Sequence, residues 1–229
     1  MRRHLEREID ALRKKLLSVG ALVEEAGKMA IEALMSRDVE LAERVIETDE
    51  QIDAMEVEVE EECLKVLALH QPVAIDLRYV VAILKINNDL ERIGDIATNI
   101  AERAIYLSHR VKIDIPQDFV SMSKLAHEMV RDSLDSLVYL DASLARKVCE
   151  IDDRVDECNR RVYDYVKQQL LLGTSEVMEQ VQLLTVARHI ERIGDQATNI
   201  AEDVLYLIEG EIVRHKRRES YEATPEEVG

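Results

Sequence analysis

Residues that interrupt helices are scarce in this chain, with only 7 glycines and 3 prolines among 229 residues. Aromatic residues make up 3 %, including one Phe and no Trp, so the side chains that β-sheets favour are also in short supply. Long helices need few turns, and the abundant Leu, Ala, Glu and other charged residues suit them. The composition therefore predicts an all-α protein and argues against a sheet.

A disulfide framework is also missing. The three cysteines, Cys63, Cys149 and Cys158, are odd in number and form no Cys-x-x-Cys pair, which indicates a reducing compartment. The first 15 residues mix charged residues with leucine and lack the apolar core of a signal peptide. No stretch approaches the roughly 20 apolar residues of a membrane span. We therefore expect a cytoplasmic protein without direct membrane insertion.

Basic residues are fewer than acidic ones: the chain has 30 Lys and Arg against 47 Asp and Glu, which gives a net charge of −17. Such a surface repels the phosphates of nucleic acids and of anionic lipids, so we expect no nucleic-acid partner. The same surface suits a basic face on a partner protein or bound cations.

Recognisable catalytic constellations are absent as well. The sequence contains no Gly-rich phosphate loop, no nucleophile elbow and no Cys–His arrangement. Its six histidines are scattered, and none follows a glutamate at the three-residue spacing that ferritin-like di-iron centres use. These gaps favour a binding protein over an enzyme.

A long segment occurs twice. Residues 90–102 read LERIGDIATNIAE and residues 190–202 read IERIGDQATNIAE, an offset of 100 positions from Glu91 to Glu191. Upstream, the apolar series that begins at Leu41 recurs from Leu144, an offset of 103. The difference of three residues falls in one connection, where duplicated units tolerate length changes. The chain is therefore predicted to contain two copies of one structural unit.

The apolar residues of both copies recur at alternating spacings of three and four, which is typical of helices packed along a seam. Breaks near Asp38, Pro72, Pro116, Asp141 and Gly173 divide the chain into six helices. The predicted helices span 4–36, 38–70, 73–110, 117–139, 141–171 and 175–216. Asp38 and Asp141 are expected to cap the helices that follow them, and Thr174 or Ser175 to cap the last one.

Short connections between long helices force neighbours to run antiparallel, so three helices in each half predict a three-helix bundle. The chain should thus hold two tandem, pseudo-symmetric bundles, over residues 1–113 and 114–216. Residues 217–229, which contain Pro225 and several glutamates, are expected to form a flexible tail.

Carboxylates spaced four residues apart occur on two helices of each half. The pairs are Asp49 with Asp53, Glu91 with Asp95, Asp152 with Asp156, and Glu191 with Asp195. Acids at this spacing share one helix face and repel each other. Each pair flanks the apolar seam, so adjacent helices would bring up to four carboxylates together. Oxygen donors of this kind suit hard or borderline cations such as Fe, Mn, Mg or Ca.

A solvated acidic face explains the same pattern. Four arginines lie near enough to pair with these acids: Arg92, Arg103, Arg154 and Arg192. Duplication would also copy surface acids into both halves, so the residues alone leave both interpretations open. Asn99 and Asn199 continue the line of the acids, either as further oxygen ligands or as groups that hydrogen-bond between helices. Gly94 and Gly194 lie inside strong helices, where each glycine costs about 1 kcal/mol of helix stability relative to alanine. We interpret their presence as a sign of close helix packing.

The duplicated ERIGD-x-ATNIAE segment, preceded by a helix with an Asp-x-x-x-Asp pair, resembles the PhoU family over roughly residues 5–215. This resemblance implies two three-helix bundles. It also implies a non-enzymatic regulator of phosphate uptake and signalling that represses the phosphate regulon when phosphate is plentiful. The implied partners are the ATPase subunit of the phosphate ABC transporter and the phosphate-sensing histidine kinase, which would recruit the protein to the inner face of the membrane. We also expect a homodimer.

Some members of the family bind metal through paired acidic motifs, and the resemblance places such a site on the eight carboxylates above. It implies iron, with Mn, Zn, Mg or Ca as alternatives. Two rival functions stay open: a metal-dependent enzyme, which turnover of a phosphate ester would support, and a metal-free helical adaptor. Metal analysis of protein purified without chelator separates the adaptor from the metal-binding regulator.

Overall fold

The computed structural model describes residues 2–210, with side chains from residue 4, and this part of the chain folds into six α-helices. The helices are α1 (Arg2–Ser36), α2 (Val39–His70), α3 (Ala74–Ser108), α4 (Gln117–Tyr139), α5 (Ala142–Leu171) and α6 (Val177–Glu209). The predicted all-α class and helix count are confirmed. The predicted last helix was too long, because Gly210 ends α6 in the left-handed conformation with φ 75°. The tail predicted at 217–229 lies outside the described residues.

Side-chain caps start two of the helices as predicted. Asp38 accepts a hydrogen bond from the backbone N–H of Leu41 at 3.0 Å, and Asp141 accepts from Leu144 at 3.1 Å. The cap predicted for α6 was wrong, because the N-cap position belongs to Glu176 and carries no side-chain cap bond. Thr174 instead accepts from the backbone N–H of Glu176 at 3.3 Å and stabilises the turn before the helix.

The six helices form two three-helix bundles. Helices α1, α2 and α3 pack on one another, as do α4, α5 and α6. The bundles join mainly through α3 and α6, with a smaller contact between α1 and α4. Helices α2 and α5 pack only within their own halves, and the buried apolar side chains of both halves form one continuous cluster.

Helices α3 and α6 run antiparallel at the joint. Lys85 near the start of α3 meets Asp203 near the end of α6 at 3.1 Å, and Leu107 and Leu183 line one small cavity at the opposite end. The two repeated helices thus pack in opposed directions, as a pseudo-two-fold axis perpendicular to them would produce. The predicted apolar seam of each is buried, from Ile83 to Leu107 and from Leu183 to Leu207. No helix within residues 2–210 has the length and apolarity needed to cross a membrane.

The two repeated glycines differ in how tightly they pack. A Cβ added to Gly94 would lie 3.2 Å from two carbons of Ile52, a fully buried residue of α2. At Gly194 the nearest atoms, in Asp152 and Val155, would be 3.6 Å away, which is ordinary contact. Close packing therefore explains the glycine of the first half better than that of the second.

Alanine substitutions at the two glycines should have opposite effects. Gly194→Ala should stabilise the protein by about 0.5–1 kcal/mol, because alanine favours helix and finds room. Gly94→Ala should lower stability by about 1 kcal/mol, because overpacking against Ile52 outweighs the gain in helix propensity. Urea unfolding of both variants beside the wild type measures the difference. Equal effects of the two substitutions would contradict this account of the packing.

Candidate functional site

The carboxylates of the first half lie on adjacent helices of one bundle. Asp49 and Asp53 belong to α2, and Glu91 and Asp95 belong to α3, which packs along it. Asp49 and Glu91 are half-buried, whereas Asp53 and Asp95 are exposed. The carboxylate Oδ1 of Asp49 lies 3.7 Å from the position that a Cβ on Gly94 would occupy, so it faces the glycine of α3. We call these four residues the first cluster.

The acids of the first cluster act on one another across the helix gap. Burial raises the pKa of Asp49, and the negative charges of Asp53 and Asp95 add to the rise. Burial also raises the pKa of Glu91, with further contributions from Asp95 and Asp53. Each half-buried acid therefore responds to acids on both helices, as convergence predicts.

The second cluster consists of Asp152 and Asp156 on α5 with Glu191 and Asp195 on α6. Burial raises the pKa of Asp152 to about 6, with Asp195 and Asp156 adding to the rise. Asp195 is an exposed residue, yet loss of water around its carboxylate raises its pKa to about 6 as well, and Glu191 and Asp156 contribute. Burial and the nearby Asp156 raise the pKa of Glu191, against the opposing charge of Arg188.

Arginine pairing does not neutralise these acids. Among residues 4–210, no ion pair within 4 Å includes any of the eight carboxylates. Arg92 lies beside Glu91 in sequence but contacts Asp89 instead, at 3.8 Å. The Oδ1 of Asp49 is buried and has no donor in good hydrogen-bond geometry, although the nearby hydroxyl of Thr98 lowers the pKa of this carboxyl. A buried carboxylate oxygen without a donor is costly, so it is suited to accept a cation.

The donor set fits a hard cation, but the described side chains are not closed around one. Across residues 4–210, no group of three or more His, Cys, Asp or Glu is arranged to hold a single ion. The exposed Asp53 and Asp95 lie on helix surfaces where their side chains can rotate. Metal binding at the first cluster would therefore require these side chains to rotate.

The two repeated asparagines follow the acids by one turn of helix. The Nδ2 of Asn99 donates to the backbone carbonyl of Asp95 at 2.7 Å, within α3. The bond that Asn99 makes is therefore not the hydrogen bond between helices that the sequence suggested. Asn199 occupies the equivalent place on α6 and stays a candidate ligand.

Sequence reasoning missed three residues beside the clusters. The hydroxyls of Thr98 and Thr198 lie next to Asp49 and Asp152 and oppose the rise in their pKa values. Their identical places in the two repeated segments were the signal that could have found them. Glu56 adds its charge to the first cluster at Glu91. The 103-residue offset places Asn159 there in the second half, so the duplicated sites are not equivalent.

The second cluster should destabilise the metal-free protein as pH rises. The folded-state pKa of Asp152, about 6, exceeds the 3.8 of an unperturbed aspartate, so the folded chain holds a proton that the unfolded chain releases. This contribution is full below about pH 4 and is lost as pH rises through about 6. Asp152→Asn should therefore raise the unfolding free energy near pH 8 by on the order of 1–2 kcal/mol, with little change near pH 4.

Urea unfolding in the presence of a chelator measures this pH effect. Glu150→Gln is the matched control, since Glu150 is exposed on the same helix, does not contribute to the pKa rise of Asp152, and its replacement should change stability by less than about 0.5 kcal/mol. A gain for Asp152→Asn that is equal near pH 4 and pH 8 would show that its carboxylate does not titrate as described.

Comparison with known proteins gives similarities over most of the chain. The family model described as "PhoU domain" matches residues 16–104 and 119–204. A "Phosphate-specific transport system accessory protein PhoU homolog" from Aquifex aeolicus is 43 % identical over 212 residues, covering 93 % of this chain and 96 % of the relative.

Two crystal structures share the fold. PhoU from Pseudomonas aeruginosa superposes with a TM-score of 0.85 at 36 % identity, over 90 % of this chain and 99 % of that one. The phosphate transport system regulatory protein PhoU from Streptococcus pneumoniae gives a TM-score of 0.86 at 31 % identity, over 91 % and 99 %. Two matches to one domain model agree with the duplication seen in both sequence and helix packing.

Proposed function

This chain belongs to the PhoU family, and on that premise we propose that it regulates phosphate uptake and represses phosphate-starvation genes when phosphate is plentiful. The relatives from Aquifex aeolicus and Streptococcus pneumoniae are described as accessory and regulatory proteins of phosphate transport. Family membership extends over both repeats of the chain. The protein is a non-enzymatic member of an accessory and regulatory family.

In this proposal the protein acts by contact with two partners, the ATPase subunit of the phosphate ABC transporter and the phosphate-sensing histidine kinase. The supporting observation is the pair of carboxylate clusters, whose acids form no ion pair within 4 Å among residues 4–210. Long helices present these clusters on extended faces, and a basic or mixed surface on a partner would complement them. These contacts would bring the protein to the inner face of the membrane.

Association with either partner should depend strongly on salt. Steering between an acidic and a basic face weakens as added salt shortens the Debye length from about 10 Å at 0.1 M to about 3 Å at 1 M. Surface plasmon resonance with the purified ATPase subunit and the cytosolic part of the kinase would measure the association rate. We expect it to fall at least about tenfold between low and high salt. A rate independent of salt would reject the acidic clusters as the docking surface.

Matched charge variants locate the docking surface. The cluster variant neutralises four acids: Glu91→Gln, Asp95→Asn, Glu191→Gln and Asp195→Asn. The control variant makes the same charge change at four exposed glutamates outside the clusters: Glu43→Gln, Glu47→Gln, Glu50→Gln and Glu150→Gln. The cluster variant should lose binding and the control should keep most of it. Equal losses would show that overall charge, and not the clusters, drives association.

A metal ion is the second part of the proposal. We propose that the eight paired carboxylates hold iron, or alternatively Mn, Zn, Mg or Ca, with Asn99 and Asn199 as additional candidate ligands. The buried and unpartnered Oδ1 of Asp49 and the raised pKa values support it. When bound, the ion would neutralise the clusters and bridge the two helices of each. If chelation abolishes partner binding, the metal completes the docking face, and if binding persists, the carboxylates contact the partner directly.

The oligomeric state is a separate part of the proposal. We propose a homodimer, which light scattering at several protein concentrations would test against the monomer mass of 26.2 kDa. A mass that stays at one chain at all concentrations would reject the dimer without affecting the proposed regulatory role.

A further inference from the structure

An apolar cavity of about 180 Å³ opens at the junction of the two bundles. Its floor consists of Ile93 from α3 with Ile190 and Ile193 from α6, all buried. Helices α1 and α4 form its sides, and none of the eight cluster carboxylates lines it. The cavity therefore lies apart from the proposed metal and docking sites.

A glycine keeps this cavity open. Gly27 lines it from the interior of α1, where glycine destabilises a helix relative to alanine. A Cβ added to Gly27 would meet no atom within 4 Å, so close packing does not require glycine there. The position related by the 103-residue offset is Val130, whose side chain is 3 % exposed. Both positions line this cavity, so α1 leaves space on its side where α4 carries a valine side chain.

The mouth of the cavity carries positive groups in an otherwise acidic protein. Lys28 from α1 and Lys124 from α4 are both exposed and both line it. Lys28 reaches Glu25 only at 3.8 Å, and no ion pair of Lys124 occurs within 4 Å in residues 4–210. The acid at the mouth, Glu24, is already engaged by His127 at 3.5 Å. The two lysines are therefore available to an external anion.

We propose that this cavity binds a small amphipathic carboxylate, with its apolar part on the isoleucine floor and its carboxylate between Lys28 and Lys124. A cavity of about 150 Å³ accommodates benzene, so 180 Å³ fits an aliphatic or aromatic group of about six to eight carbon atoms. A longer lipid chain does not fit within this volume. The site goes beyond the proposed regulatory function, and neither depends on the other.

Titration calorimetry of the full chain with sodium octanoate tests this site, with 1-octanol as the neutral match. We expect saturable binding of one octanoate per chain and a thermal midpoint that rises with octanoate concentration. Gly27→Leu should fill the cavity and abolish binding while keeping the fold, because its Cβ meets no atom within 4 Å and the rest of the side chain can enter the cavity. Gly27→Ala, which fills less of the space, should weaken binding without abolishing it.

Lysine variants test the anionic head of the ligand. Lys28→Gln with Lys124→Gln should weaken octanoate binding about tenfold and leave 1-octanol binding unchanged. Lys14→Gln, an exposed lysine of α1 that does not line the cavity, is the control. The site is rejected if octanoate fails to saturate at about 10 mM or binds the Gly27→Leu variant as well as the wild type. Equal binding of octanoate to wild type and double lysine variant would reject the carboxylate assignment.

Discussion

Deletion of the gene for this protein is expected to leave phosphate-starvation genes expressed in phosphate-rich medium. The proposed regulator holds those genes off only while it contacts its partners, so its loss removes the repression. A phosphate-starvation promoter fused to a reporter enzyme would show the change, and we expect strong induction because deletion removes every contact that holds the genes off. Wild-type repression in a deletion strain without a paralogue would reject the proposed function.

Complementation connects this phenotype to particular side chains. The cluster variant, with Glu91, Asp95, Glu191 and Asp195 neutralised, should fail to restore repression. The control variant should restore repression, because it keeps both clusters; its substitutions are at Glu43, Glu47, Glu50 and Glu150. Both variants change the net charge by the same amount, so net charge alone cannot explain a difference between them. Immunoblots must show equal protein levels. Restoration by both variants would separate the regulatory function from the carboxylate clusters.

The fold could be predicted from the sequence because its signals are local and repeated. Alternating spacings of three and four residues define the buried seams of α3 and α6, and Asp38 and Asp141 mark helix starts through bonds to residues three positions away. The cap of α6 could not be predicted this way. Thr174 and Glu176 both have side-chain oxygens near the turn. Which backbone N–H group each oxygen accepts from depends on the geometry of the connection.

The sequence predicts which acids share a helix face, whereas their role as a binding site stays a prediction. The spacing of the acids placed them on shared faces, and the helix pairing α2 with α3 and α5 with α6 brings the faces together. Spacing does not reveal how deeply each carboxylate is buried. Burial is the main reason that the pKa values of Asp152 and Asp195 rise to about 6, the largest shifts among the eight acids. Nor could it reveal the cavity at Gly27, because an empty space depends on side chains from four helices.

The chelated wild-type protein should gain thermal stability when a suitable cation is added. Two repulsive clusters weaken the folded state, and a cation that binds only the folded chain removes that repulsion and adds binding free energy. At a free ion concentration 100 times the dissociation constant, the gain is about 2.7 kcal/mol, or roughly 5–10 °C for a chain of this size. Calorimetric scans with iron, manganese, zinc, magnesium and calcium added in turn would measure the shift.

A variant that removes one acid from each helix of each cluster should be more stable than the wild type without metal and should gain less stability from metal. Asp49→Asn, Asp95→Asn, Asp152→Asn and Asp195→Asn together should raise the stability of the metal-free protein near pH 8, because they relieve the repulsion. The same variant should gain little from metal, because amide oxygens are weaker ligands for hard cations than carboxylates. Metal analysis of both proteins, purified without chelator or affinity tag, should show less metal in the variant.

The pH dependence of the metal-induced rise in thermal stability provides an independent check. Ligands must lose their protons before an ion binds, so metal affinity at the second cluster should rise with pH through about 6, the pKa of Asp152 and Asp195. The first cluster should bind at lower pH, because burial and neighbouring acids raise its pKa values less far. A wild-type protein that takes up no metal under saturating iron, manganese, zinc, magnesium or calcium would exclude the metal site. The carboxylates would then be left to act as the docking surface alone.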